Sequence, residues 1–513
     1  MTRAPGASLW RSALFFGVLV YLAAWALRLA VVTDHSLHPD ETLYGYWGSL
    51  ILSGRDPWLV TTPVYKPPLL PYLTAGSLAW LGCDRAAQPA CAGLAVRMPG
   101  LAAGMLTVGV TGQFARRLYR DCRAGLAAAL VVALSPFALL FSATGFTDPL
   151  MVAAGIAGCW AAAAGRPGWA GLLAGLAAAF KQSGVAWAPL IGLLVLVTEV
   201  RRGGLRLLPV ARGVLGFLAV LGLVVLWDQV RVVQGAQGFW QTGVLGYGGL
   251  RTIWPGEWSA RLWAWGEWLR YLPGSLPLDL LLVGGAALLV VRGLRRRDWR
   301  ALYDLALVLF CLLYLGVHWL WAFPTWDRYL LPLALLAGVL LGRIASRLVR
   351  RVSAVPRRGL WVEVGCWALL VIGLAVPAAR AVGGAVPVGA GLAAYDGMER
   401  LAGFLWQLPE GAVLYHHWLG WQYSFYLFDG PLYLAYWPTP AWLAQDVRVF
   451  GPAGPRYIAF PAWESPARVE RELAAVGYRL ELVLTVEGRE GKPRFRLFRL
   501  CQMTNVQPDA CAG

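Results

Sequence analysis

The feature that most constrains this chain is the recurrence of apolar runs long enough to cross a lipid bilayer. A membrane-spanning helix needs about 20 apolar residues, because backbone N–H and C=O groups left unpaired in hydrocarbon cost several kcal/mol. About eleven such runs can be placed, at 12–31, 98–115, 125–141, 149–164, 169–180, 184–200, 214–230, 276–291, 301–321, 329–348 and 360–378. Composition agrees: with 58% hydrophobic and 14% charged residues and a mean hydropathy of +0.56, the chain is far more apolar than a soluble domain. The formal charge of +17 raises the question of nucleic acid. The basic residues stand in short clusters between apolar runs and form no basic face with interleaved aromatics, so no nucleic-acid partner is expected.

The clusters instead predict orientation. Arg116, Arg117, Arg120 and Arg123 follow the second run, Arg166 the fourth, Arg201 to Arg212 the sixth, Arg292 to Arg300 the eighth and Arg343 to Arg358 the tenth. All these loops share one side with the N-terminus, where Arg3 and Arg11 flank a first run read as a retained signal anchor. The positive-inside rule makes that side cytoplasmic. The loop after the first run, the loop 231–275 and everything after Ala378 are then extracytoplasmic. Cysteines provide an independent check, because disulfides persist outside the reducing cytosol. Cys83 with Cys91 and Cys501 with Cys511 both fall in external segments at close spacing, so two local disulfides are plausible from sequence.

The expected architecture is a polytopic α-helical membrane domain over 1–380 and an extracytoplasmic α/β domain over 381–513. The first external loop, 33–97, is too long for a connector and shows helical character from Thr42 to Leu52 and again from Pro67 through Trp80. The loop 231–275 is rich in tryptophan, including Trp240, Trp254, Trp258, Trp263, Trp265 and Trp268. An interfacial aromatic belt is the favoured reading, a sugar-stacking platform the other. In the tail, "AVLYHHW", "LYLAYW", "RYIAFPAW" and "YRLELVLTVEG" read as strands, "MERLAGFLWQL" and "SPARVERELAAVG" as helices, and "EGKPRFRLFRL" as a terminal hairpin arm.

Polar residues with chemical potential cluster in "HPDETLYGYWGS" after the first run. Asp40 and Glu41 would cap a helix beginning near Thr42, or serve as proton acceptors. Further along come "YKPPLLPYL" with Tyr65 and Lys66, "SATGFTDPLMVA" with Asp148, "AAFKQSG" with Lys181, and "DRYLLPLALL" with Arg328, all at external ends of runs. Asp148 also suits a helix cap, and Lys181, between two short runs, is expected to snorkel toward headgroups.

The ordered set resembles the GT-C glycosyltransferases that use polyprenyl-phosphate sugars, especially the protein O-mannosyltransferase and lipid A aminoarabinose transferase group. The likeness covers roughly residues 10–347. The resemblance implies an inverting hexosyl- or pentosyltransferase of the bacterial inner membrane. It would pass a sugar from a polyprenyl-phosphate donor to an acceptor hydroxyl on a protein, lipid or glycan at the extracytoplasmic face. It implies Asp40 as base or acceptor contact with Glu41 as companion, Lys66 and Arg328 as donor-phosphate contacts, and His38, Tyr65, Asp148 and Lys181 in support. The chemistry needs one carboxylate and one or two cations, because phosphate leaves as a stable anion and no general acid is required. No cofactor is expected. The aminoarabinose branch does suggest a divalent metal, but His35, His38 and His318 lack the tight spacing of a zinc signature.

No Asp-x-Asp motif and no glycine-rich phosphate loop with lysine occurs, which argues against a nucleotide-sugar donor. The chain also lacks a large lumenal insert of the kind found in eukaryotic mannosyltransferases. Two other readings remain at the sequence level: a transporter or flippase for a lipid-linked sugar, and a non-catalytic lipid-binding assembly subunit. No internal repeat of the transporter type is visible.

Overall fold

The computed structural model describes residues 5–204, 206–246, 251–295, 298–352, 359–488 and 491–503. These divide into two compact units, one made of 1–32, 58–70 and 98–390 and the other of 33–57, 71–97 and 391–513.

The first unit is helical. It contains α1 (Pro5–Val32), most of α4 (Pro89–Tyr119), α5 (Cys122–Leu134), α6 (Pro136–Ser142), α7 (Thr147–Ala163), α8 (Pro167–Phe180), α9 (Trp187–Arg201) and α10 (Leu207–Val233). Then follow α11 (Phe239–Gly246), α12 (Trp258–Leu269), α13 (Leu276–Arg295), α14 (Trp299–Leu320), α15 (Leu331–Val352) and α16 (Gly359–Val382). Every apolar run marked in the sequence is helical. Among the described residues 8 helices are long and apolar enough to cross a membrane, or 9 when the bent pair of α5 and α6 is taken as one span. The shortfall from about eleven lies in the fourth and fifth runs, whose helices have 17 and 14 residues. Leu14, Phe15, Leu215, Leu223, Leu280 and Leu369 point their side chains outward, as expected where lipid is the solvent.

Two devices hold this bundle together. The helix axis turns by 59° between α5 and α6, because Pro136 has no N–H and cannot bond the carbonyl one turn back. Arg28 of α1, fully buried, replaces that donor: its guanidinium donates to the carbonyls of Val132 at 3.3 Å, Ala133 at 3.1 Å and Ala138 at 3.3 Å. The second device is close backbone approach. A Cβ on Gly100 would lie 1.9 Å from the Thr144 carbonyl oxygen, and one on Gly104 would lie 2.0 Å from the Ser142 Cβ. This small-xxx-small pattern lets α4 pack directly on the segment after α6.

The second unit combines α2 (Pro39–Leu52), α3 (Leu69–Leu81, from Pro71), α17 (Met398–Leu405), α18 (Gly420–Tyr426), α19 (Pro440–Phe450) and α20 (Ala467–Ala475) with a five-stranded sheet. Its strands are β1 (Val413–His416), β2 (Tyr433–Tyr436), β3 (Arg456–Pro461), β4 (Tyr478–Glu487) and β5 (Pro493–Gln502), in the order β2-β1-β3-β5-β4. β1 is parallel to β2 and β3, while β5 is antiparallel to β3 and β4. Strand β3 is buried throughout and alternates between two cores. Tyr457 and Ala459 meet Leu37, Leu78, Val96 and Phe425 on one face; Ile458 and Phe460 meet Leu443, Val447 and Leu473 on the other. Segments 33–57 and 71–97 therefore share a core with the C-terminal sheet. Cys83 and Cys91 form a disulfide within the second of these segments. Cys501 is disulfide-bonded too, and Cys511, its partner expected from sequence, lies outside the described residues.

Candidate active site

In the second unit the acidic pair is placed by the start of α2. The helix begins at Pro39, three residues before the expected start, because proline is pre-set for the first helical position. His38 is the N-cap. Its Nδ1 accepts from the Asp40 N–H at 3.2 Å, and the Glu41 carboxylate reaches back to the His38 N–H at 2.8 Å. Glu41 is fully buried, and Arg97 clamps it by a fork, Nε to Oε1 at 2.8 Å and Nη2 to Oε2 at 2.9 Å. The remaining Arg97 donors go to the carbonyls of His35 at 2.7 Å and Ser36 at 3.2 Å. A carboxylate with both oxygens engaged by a buried guanidinium is a structural member, which separates it in role from its neighbour.

Asp40 is half-buried at the positive end of the helix dipole. Burial, together with the charge of Asp40, pushes the Tyr395 phenol above its ordinary value. Tyr395 also meets His38 edge-on at 5.7 Å and Trp463 at 5.4 Å. His35 lies 3.3 Å from Asp396, and Ser36 bonds Glu399, so the segment leading into α2 is tied down.

The first unit holds the cationic candidates. Lys66 is buried, with its ammonium 5.5 Å from the Tyr65 ring centroid. The Tyr65 carbonyl accepts from the Gln182 side chain, which brings the loop carrying Lys66 to the turn that follows Lys181. Lys181 does not snorkel: it is buried, bonds Asp148 at 2.6 Å, and stands 4.4 Å over the Tyr329 ring. A short helix on either side leaves its ammonium facing protein, and the charge is met by a carboxylate in the first turn of α7. Arg328 lies over Phe146 at 4.7 Å and Trp326 at 4.4 Å. Next to it, Asp327 accepts from the Gly389 N–H at 2.6 Å and from the Arg328 N–H at 2.7 Å.

His318 is enclosed, stacked on Tyr314 at 4.1 Å with its Nδ1 2.9 Å from the Tyr314 carbonyl. Trp265 packs against it at 6.1 Å, whereas Trp254, Trp258 and Trp263 are exposed. Among the described residues no three His, Cys, Asp or Glu side chains converge as a metal site would require.

No family model matches the chain, and no curated protein matches it. Solved structures do. ArnT from Cupriavidus metallidurans bound to undecaprenyl phosphate matches with a TM-score of 0.61 at 16% identity, over 95% of this chain and 97% of that one. The oligosaccharyltransferase AglB from Archaeoglobus fulgidus, in complex with an inhibitory peptide and a dolichol-phosphate, matches at 0.51 and 11% identity, over 96% of this chain and 74% of that one. The chain has the GT-C fold.

The chain is a multi-pass membrane protein. His38, Asp40 and Glu41 sit in its second unit, and Tyr65, Lys66, Asp148, Lys181 and Arg328 in its first. The fold brings together Glu41 with His38, and Lys181 with Asp148. Sequence reasoning passed over Arg97, although a lone arginine at the head of an apolar run was a signal that a buried carboxylate awaits it. Tyr395, Gln182 and Tyr329 carried no comparable signal.

Proposed function

We propose that this protein is an inverting glycosyltransferase that moves a sugar from a polyprenyl-phosphate donor to an acceptor hydroxyl at the extracytoplasmic face of a bacterial inner membrane. What carries this reading is a GT-C fold matched along nearly the whole chain to a protein solved with undecaprenyl phosphate. A second protein of the same fold was solved with dolichol-phosphate and a peptide, which supports a lipid-linked donor and a separate acceptor.

In this reading Asp40 takes the acceptor proton as the acceptor oxygen bonds to the anomeric carbon. The bond from that carbon to the phosphate oxygen breaks with its electron pair, and phosphate leaves as an anion on the lipid. Lys66 and Arg328 stabilise that anion, the guanidinium fork being suited to phosphate oxygens. Glu41, held by Arg97, fixes the first turn of α2 and thus the Asp40 backbone. Lys181, neutralised by Asp148, shapes the surrounding wall.

The test is Asp40→Asn in membranes supplied with radiolabelled polyprenyl-phosphate sugar. A normally expressed variant should lose about 10²–10⁴-fold in transfer rate, and undiminished transfer would remove the base. Mass spectrometry of co-purified lipid should find a polyprenyl-phosphate hexose or pentose.

A further inference from the structure

At the end of the helical unit opposite Asp148 and Lys181, the C-terminal ends of α4, α7 and α9 enclose a cavity of about 850 Å³. Arg116, Arg117, Arg120, Arg166, Arg201 and Arg202 line it, and Asp121 is the one carboxylate in the lining. That carboxylate is already engaged, by Arg350 at 2.6 Å and by Ser346. Aromatic faces hold several of the guanidinium groups without cancelling their charge: Arg201 lies 3.9 Å and Arg120 5.8 Å from the Trp299 ring, and Arg166 6.0 Å from Trp160. Arg202 pairs with Glu199 at 3.2 Å.

A second cavity of about 380 Å³ adjoins the first and shares Gln113, Arg116 and Cys122 with it. Its walls are apolar, built from Leu14, Val18 and Tyr21 of α1, Val108 of α4 and Leu126 of α5. Gly17 and Gly109 lie along it, and a Cβ added at either would meet nothing within 4 Å. The positive-inside bias accounts for the sign of charge at this end of the bundle. It does not account for guanidinium groups converging on one cavity beside an apolar groove that shares three of its lining residues.

We propose that this end of the bundle binds an anionic phospholipid, with its phosphate among the arginines and an acyl chain in the groove between α1 and α4. Opposite chemistries in adjoining cavities match an amphiphile, and a basic pocket between spanning helices is a known way to hold such headgroups. The groove distinguishes a lipid from a soluble phosphate, which would need the arginines alone.

The experiment uses the full-length protein in phosphatidylcholine nanodiscs, with and without cardiolipin, and reads thermal unfolding and retained lipid by native mass spectrometry. Cardiolipin should raise the wild-type Tm by about 3–5 °C. Arg117→Gln combined with Arg166→Gln should weaken retention by about tenfold or more. Gly109→Leu, which fills open space, should block the chain and abolish the shift. Inorganic pyrophosphate is the competing probe. If it stabilises wild type as much as cardiolipin does and Gly109→Leu changes nothing, the cavity is a soluble-phosphate site and the lipid assignment falls. If cardiolipin neither raises the wild-type Tm nor stays bound, the proposal also falls.

Discussion

Asp40 and Glu41 are adjacent in sequence and opposite in circumstance, and the difference comes from one residue. Arg97 satisfies both Glu41 oxygens in a fully buried position. Arg97→Met would leave that carboxylate unpaired and should cost roughly 3–5 kcal/mol, with the double change Arg97→Met and Glu41→Gln recovering much of it. Thermal unfolding in detergent would measure this, and a single variant as stable as wild type would show the pair to be dispensable. A second residue sets a pH dependence. Burial, with His417 adding to it, lowers the His416 imidazole to about 4, against roughly 6.5 in the unfolded chain. Between those values the unfolded state binds the proton and the folded state does not. Stability should thus fall by up to about 2–3 kcal/mol as pH drops through that window, and level off below it. Full-length His416→Gln should show a flatter profile from pH 6.5 to 4; slopes matching wild type would discard the assignment.

At the scale of elements, α5 and α6 depend on a residue more than a hundred positions away. Arg28→Leu would orphan the carbonyls freed at Pro136 and should cost at least about 2 kcal/mol, since each unsatisfied buried group costs about 1–3. Arg28→Lys should recover only part of that, for want of a fork. An unchanged unfolding temperature in Arg28→Leu would show the carbonyls satisfied otherwise. Elements of this kind mark the boundary of what sequence reveals. The spanning helices were legible because lipid demands unbroken apolar length, and the strands because short runs rich in β-branched and aromatic residues stand between turn signals. Two helices of the tail, α18 and α19, went unnoticed. In α18 the run "GWQYSFY" has no polar face to betray a period, while Thr439 and Pro440 did offer a start signal for α19. The partnership of Arg97 with Glu41, like that of Arg28 with the kink, joins distant segments, and periodicity carries no information about such meetings.

For the whole molecule, charge bias and cysteine chemistry point to the same orientation. The Cys83–Cys91 disulfide is the kind that persists in an oxidising compartment, and the positive-inside rule predicts that the arginine-lined ends of α4, α7 and α9 face the cytosol. An alkaline phosphatase fused after Gly513 should be active in bacteria and one fused after Arg206 inactive; the reverse pattern would invert the topology. The ion pair of Asp148 and Lys181 has a consequence for how the protein is made. Asp148 in the first turn of α7 and Lys181 just after α8 would each burden a short helix, of 17 and 14 residues, with an uncompensated charge during insertion. Neither α7 nor α8 is then a good insertion substrate alone. The pairing therefore predicts that a segment carrying both α7 and α8 inserts more efficiently than either helix alone, and equal efficiencies in a translocon insertion assay would reject it.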